Sequence, residues 1–236
     1  MRRFPNPSRD HQVAFAFHST RIERIPLFKK DLDDTMSGSK IHPHVEGQLK
    51  CLNLVKSLAA DPDLIPSAAD VKIYTAMDQF DWLKKLHKNL LKSVAEQGYM
   101  MGDQNVIHPS DVGRWREARH WVSETEMPNP YSIKQHLYDL LLNIANFHDA
   151  NREKIEQPHL LNEDDIEALV EKAYEINLRL CCIKPFQDGS NRVARLAENV
   201  FRLNWGLPFK IIRHEDEFKL PYIDDIKKMQ ASYPAD

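Results

Sequence analysis

Glycine is scarce, with seven in 236 residues. That argues against a β-rich architecture, whose turns draw heavily on glycine. There are three cysteines, two of them adjacent at Cys181 and Cys182. These fit neither a disulfide framework nor zinc-ligand spacing, so a reducing cytoplasm is the expected setting. No apolar run approaches the ~20 residues of a membrane span. The run Val13-Ala14-Phe15-Ala16-Phe17 is too short for the core of a signal peptide. A net charge of −3 leaves no global basic field for nucleic acid or an anionic membrane. Internal repeats and low-complexity tracts are absent from the sequence as well. What remains is 42% hydrophobic and 28% charged, an ordinary balance for a chain long enough to bury a sizeable core.

Helical periodicity dominates that remainder. Leu49, Leu52, Val55 and Leu58 share one face of a segment over 45–60, which Asp61-Pro62-Asp63 stops. A longer segment follows Pro66 and Ser67 to about Gly98, with Val71, Tyr74, Met77, Trp82, Leu83, Leu86, Leu90 and Val94 inward and one break expected. A helix over 132–147 carries Ile133, Leu137, Leu140, Leu141 and Ile144 inward, and a polar connection over 148–157 follows it. Asn162 with Glu163, Asp164 and Asp165 is a strong helix start, a cap followed by acids in the first turn. The helix it opens is expected to run to about Cys182. Residues 113–122 alternate in their second half like a short hairpin. Residues 1–18 read as an arm whose apolar patch docks on the body, in extended form. Residues 31–39 read as a loop, His42-Pro43-His44 as a turn, and a short helix is expected over 222–229. The fold class expected is all-α with one small β-hairpin. An N-terminal arm spans 1–40 and a single globular unit spans 41–236.

The stretch with the most chemistry is Ile183-Lys-Pro-Phe-Gln-Asp-Gly-Ser-Asn-Arg-Val-Ala-Arg195. Pro185 cannot continue a helix. Gly189 permits a tight turn, and Ser190 reads as the cap of the helix that follows. Arg192 and Arg195 lie three apart on one face of its first turns. Cations are misplaced there, because the N-terminal end of a helix is already positive. An anion in front of the two arginines would resolve the conflict, so the residues suggest a phosphate-binding loop. Asp188 is placed to hold a divalent metal.

This stretch resembles the signature of the Fic (filamentation induced by cAMP) family, His-Pro-Phe-x-Asp/Glu-Gly-Asn-Gly-Arg-x-x-Arg. Pro185, Phe186, Asp188, Gly189, Arg192 and Arg195 match it. Lys184 stands at the histidine, and Ser190 and Asn191 stand at Asn and Gly. Leu203-Asn204-Trp205-Gly206-Leu207-Pro208 resembles the family's helix exit. Gly113, Trp115 and Arg116 resemble the segment leading into its target-docking flap, with Met127-Pro128-Asn129-Pro130 supplying the prolines that follow. Ser19 to Arg24 has two readings. One is the capped start of a short helix, with Ser19 as cap and Glu23 in the first turn. The other is the inhibitory motif of the N-terminally inhibited Fic class, with Arg24 in place of Gly or Asn. On that reading Glu23 pairs with Arg195 and blocks the site of the nucleotide's γ-phosphate.

The resemblance implies a protein adenylyltransferase that uses ATP and Mg²⁺ and transfers AMP to a target hydroxyl. Asp188 would be the metal ligand, and Gly189, Ser190, Asn191, Arg192 and Arg195 would bind phosphate. Lys184 would take the catalytic position, Ser19 and Glu23 the inhibitory ones, and Trp115 and Arg116 the docking flap. The expected partners are nucleotide and a target protein on the flap, without nucleic acid or membrane. Lys184 is the departure that matters. An ammonium has three N–H donors and no lone pair to take a proton. Bound ATP favours that charged form, and loss of a general base costs about 10²–10⁴-fold in rate. Three functions stay open: weakened AMP transfer, nucleotide or partner binding without transfer, and transfer from a different donor.

Overall fold

The computed structural model describes residues 7–40, 42–72, 76–98, 107–122 and 125–233. Tyr74 and the first six residues of the arm lie outside them.

The arm is helical, not extended. Helix α1 spans Arg9–Ile22, and the Ser8 hydroxyl caps it by accepting from the His11 N–H. Val13, Phe15, Ala16, Phe17, Ser19, Thr20 and Ile22 are all buried along it. A helix covered on nearly every side shows no amphipathic period, so its apolar run reads like a strand. Phe15 joins the main core, Ala16 and Phe17 pack with Leu27 and Val45, and Ile22 packs with Leu178 and Tyr222. Ser19 is therefore inside a helix and caps nothing. Helix α2 spans Lys29–Ser37 where a loop was expected. The Asp31 carboxylate caps it by accepting from the Phe28 N–H at 2.7 Å, and Gly38 ends it with φ +75°.

Helix α3 spans Pro43–Ala59, with His42 as its cap and Pro43 in its first turn, so the expected turn is a helix start. Past a short turn at Ala68–Asp70 come α4 (Ala76–Gln79) and α5 (Asp81–Glu96). Gly47 lets α3 and α5 touch: a Cβ there would lie 2.1 Å from the Leu90 carbonyl oxygen. Strands β1 (Trp121–Val122) and β2 (Thr125–Glu126) form an antiparallel hairpin with Trp121 opposite Glu126. Helix α6 runs Ile133–Glu156, through the residues expected to form a polar connection. That stretch is polar because it is the solvent face of a continuing helix, with an Arg152–Asp149 pair on it.

Helix α7 (Glu163–Ile183) opens on a capping box between Asn162 and Asp165. Helix α8 (Ser190–Asn204) is the centre of the fold. Val193, Ala194, Leu196, Ala197, Val200 and Phe201 are buried, and so are Arg192, Arg195, Glu198, Asn199 and Arg202. The polar face is closed by named partners. The Asn177 amide donates to Glu198 at 2.7 Å, and Asn199 bridges the backbone of Arg195 and Lys210. Helix α9 spans Asp216–Ser232, longer than expected, with Pro221 inside its first turns. Just before it, His214 meets His18 of α1 beside Glu215. Burial holds both imidazoles below the ordinary histidine range, against the opposing pull of Glu215. Among the described residues no helix is long and apolar enough to cross a membrane.

Candidate functional site

The turn between α7 and α8 is held from several sides. Lys184 ends α7 in the left-handed region, φ +47°, with its N–H on the Leu180 carbonyl. Arg116 fixes that conformation. Its guanidinium donates to the carbonyls of Lys184 (2.9 Å), Ile183 (3.4 Å), Ala118 (2.9 Å) and Pro128 (2.7 Å). Its backbone N–H donates to the Pro185 carbonyl at 2.8 Å. Arg116 is thus buried and ties the root of the hairpin to the loop. Phe186 is fully buried and sandwiched between His87 (4.1 Å, 6°) and Trp115 (5.1 Å, 18°). Trp115 and Arg116 were expected to dock a target. In the structure half-buried Trp115 stacks on Phe186 and buried Arg116 holds the loop carbonyls, while Trp121 and Glu126 of the hairpin that follows are exposed.

His87 is a residue the sequence reading missed. Its Nδ1 accepts from the Gly113 N–H at 2.8 Å, and its Nε2 donates to the Asp188 carbonyl at 2.9 Å. One acceptor and one donor require a neutral ring. Burial pushes its pKa down to about 4, in keeping with that. His87 therefore joins Gly113, ahead of the hairpin, to the acid of the loop.

Gly189, at φ +72°, caps α8, and a Cβ there would lie 3.0 Å from Leu91. The expected cap, Ser190, is instead the first residue of the helix. Its hydroxyl accepts from the Phe186 N–H (3.1 Å) and donates to the Phe186 carbonyl (3.0 Å), closing the loop on itself. That side chain is turned inward, so any contact of Ser190 with an anion falls to its backbone N–H. The Asp188 carboxylate accepts from the Gly189 N–H. Burial raises its pKa, with Arg192 pulling the other way. A carboxylate short of hydrogen bonds and beside a helix N-terminus is a hard oxygen ligand, which suits magnesium shared with phosphate. The Lys184 ammonium donates to the Asn191 side-chain oxygen at 2.7 Å.

The arginines of α8 are fully buried. Arg192 meets His44 Nδ1 at 3.1 Å. Arg195 donates through Nε to the Ser19 hydroxyl (3.0 Å) and through Nη2 to the Ser19 carbonyl (2.9 Å) and the Glu23 carboxylate (2.7 Å). Burial opposes ionisation of Glu23, but Arg195, Arg192 and Lys184 together hold its carboxyl below the ordinary 4.5. Arg24, next in the chain, has φ +59°, which turns the backbone away directly after the carboxylate. A non-glycine residue there costs about 1–2 kcal/mol. In front of the α8 N-terminus lies a cleft of about 950 Å³, lined among others by Glu23, His120, Lys184, Asp188, Asn191 and Arg192. His120, also missed in sequence, has its pKa lowered to about 4 by burial and then by Lys184 and Arg116, so its ring is neutral. The cleft thus joins a neutral imidazole, an ammonium, a carboxylate and a cationic helix N-terminus. The carboxylate of Glu23, the residue that caps the C-terminal end of α1, occupies its cationic wall.

Three kinds of likeness accompany this geometry. A model of the Fic/DOC family matches residues 78–202, from α4 through most of α8. The protein adenylyltransferase Fic of Nematostella vectensis is 24% identical over 178 residues, which span 73% of this chain and 38% of that protein. The chain thus corresponds to well under half the length of this curated relative. Among solved structures, a fragment of Fic-1 from C. elegans superposes with a TM-score of 0.63 at 17% identity, covering 95% of this chain and 57% of the other. A Fic domain containing signaling protein from Bacteroides thetaiotaomicron gives a TM-score of 0.63 at 16% identity, covering 95% and 74%.

Proposed function

The chain belongs to the Fic/DOC family, and on that premise we propose that its cleft binds a magnesium nucleotide for AMP transfer and is kept closed by its own first helix. The observation that carries this reading is the 2.7 Å contact between Glu23 and Arg195 at the head of α8. A carboxylate held there satisfies a cation that a phosphate would otherwise satisfy. The two anions compete for one place, so release of Glu23 opens the nucleotide site.

In the open state, the N–H groups at the start of α8 with Arg192 and Arg195 receive the phosphates, and Gly189 lets the backbone approach them. Asp188 would hold the metal, which when bound supplies charge neutralisation across phosphate oxygens. Transfer forms a bond between a target hydroxyl oxygen and the α-phosphorus, and the bond to pyrophosphate breaks. The hydroxyl proton needs an acceptor. Lys184 is an ammonium donating to Asn191, suited to phosphate charge and not to proton removal. His120 lines the same cleft with a neutral ring and is the imidazole available for that proton. Trp121 and the hairpin edge offer the target a strand to pair with.

A second reading, nucleotide binding without transfer, is favoured by the Lys184–Asn191 bond. It joins a cation to the loop where a base would be needed. One experiment separates the two readings. Glu23→Gly is incubated with Mg·ATP labelled at the α-phosphate, and both protein-bound label and nucleotide affinity are measured. Label on protein that disappears in Glu23→Gly/His120→Ala supports transfer. Binding without label supports the second reading, and absence of binding refutes both.

A further inference from the structure

We propose that His18, His214 and Glu215 form a binding site for a divalent transition metal of the zinc type, which staples α1 to the segment entering α9. The three residues come from sequence positions 196 apart and meet at one spot. His18 Nδ1 and His214 Nδ1 are 2.7 Å apart, and the Glu215 carboxylate lies 3.9 and 3.7 Å from them. All three ligand atoms fall within 4.8 Å of one another.

Two imidazoles facing nitrogen to nitrogen hold a single proton between them. The Nδ1 without the proton, that of His18, offers its lone pair to the other ring and, at 3.4 Å, to the His214 backbone N–H. When the shared proton moves to the far Nε2 of its own ring, the second Nδ1 becomes a lone pair too, with no net release of a proton. The rings then point both lone pairs at one place, with a carboxylate beside it. Bonds of 2.0–2.1 Å in a tetrahedral site put ligand atoms about 3.3 Å apart. The histidine pair has to open by about 0.6 Å and the carboxylate to close by about 0.4–0.6 Å to meet that geometry. Glu215 is the exposed member and can move, and both histidines are half-buried.

A set of two imidazoles and one carboxylate suits zinc, copper or nickel and not calcium or magnesium. The partly open side leaves a fourth position for water. The rings are held in place by Phe17, which meets both edge-on at 5.7 and 5.6 Å. Three cations stand near: Arg21, whose guanidinium is committed to the Leu27 carbonyl, Arg213, which lies over Phe218, and Lys219, which is paired with Asp216. They weaken the site without occupying it. The consequence is mechanical. His18 lies one residue before Ser19, the residue that meets Arg195, so a metal on His18 fixes the end of α1 that reaches into the cleft.

The test uses the full chain stripped of metal with a chelator. Zinc is titrated by calorimetry into wild type, His214→Gln and Glu215→Gln, and backbone hydrogen exchange of α1 is followed with and without zinc. The expected result is one equivalent bound to wild type, binding weaker by about tenfold or more in each variant, and slower exchange across residues 13–22 only in wild type with zinc. Both variants change exposed or half-exposed side chains, and far-ultraviolet circular dichroism confirms their fold. Equal affinity in all three proteins overturns the proposal, as does absence of binding or α1 exchange unaffected by zinc. None of these readouts involves nucleotide, so the fate of this site is independent of the cleft's.

Discussion

Replacing Glu23 by glutamine keeps the shape of the side chain and removes the charge opposite Arg195. Arg195 is 2% exposed and Glu23 24% exposed in their side chains, so the pair is neither a surface contact nor sealed. Surface pairs contribute about 0–1 kcal/mol, while breaking a buried pair costs about 3–5 kcal/mol. Arg195 would retain the Ser19 hydroxyl and carbonyl, but its Nη1 already has no hydrogen-bond partner among the described residues. The intermediate burial places the loss at about 1–3 kcal/mol. For a chain of this size each kcal/mol lowers Tm by about 2–4 °C, so a fall of about 2–12 °C is expected at pH 7. The pH dependence follows from the depressed carboxyl. Glu23 contributes its stability above the ordinary value of 4.5 and loses it as pH falls through the lower folded value. The gap between wild type and Glu23→Gln should be full at pH 7 and close in acid below pH 4.5. Thermal melts over a pH series measure it. Equal stability at pH 7, or a gap that widens in acid, would refute the reasoning.

Three further outcomes follow from the same contacts. Gly47→Ala drives a methyl toward the Leu90 carbonyl at 2.1 Å and forces α3 from α5; a loss of about 1–3 kcal/mol or more is expected, read by chemical denaturation. Gly189→Ala places a side chain at φ +72° against Leu91, and it should cost about 1–2 kcal/mol and weaken nucleotide binding more than Ser190→Ala does, measured by calorimetry. With His120 taking the hydroxyl proton, Lys184→His in the Glu23→Gly background should raise AMP transfer by much less than the roughly 10²–10⁴-fold that a general base is worth, whereas His120→Ala in that background should lower it by about that factor, both measured as protein-bound label.

Helices whose one face meets the core could be read from the sequence, because apolar spacing reports a single buried stripe. That holds for α3, α5 and α7, where Leu52, Leu86 and Ile176 mark the inward faces. It failed for α1, whose burial on several sides erases the period, and for α2, whose mean composition is polar. The cap residues Asp31 and Gly38 were the signals available for α2. In the site, the loop residues were legible from type and spacing: a proline, an acid, a glycine and two arginines in 11 positions. The roles of Ser190 and Arg116 were not, since each depends on which carbonyl lies within reach after folding. His87 and His120 were invisible for the same reason. One comes from the buried face of amphipathic α5 and the other from the approach to the hairpin, and only the tertiary fold brings them to the loop.

The central claim is that one cationic helix start is shared between Glu23 and a nucleotide. Calorimetric titration of Mg·ATP into wild type and Glu23→Gly tests it most directly. The account predicts binding at least about tenfold tighter in the variant, which is about 1.4 kcal/mol of coupling. Equal affinity in the two proteins, or tighter binding by wild type, would contradict it.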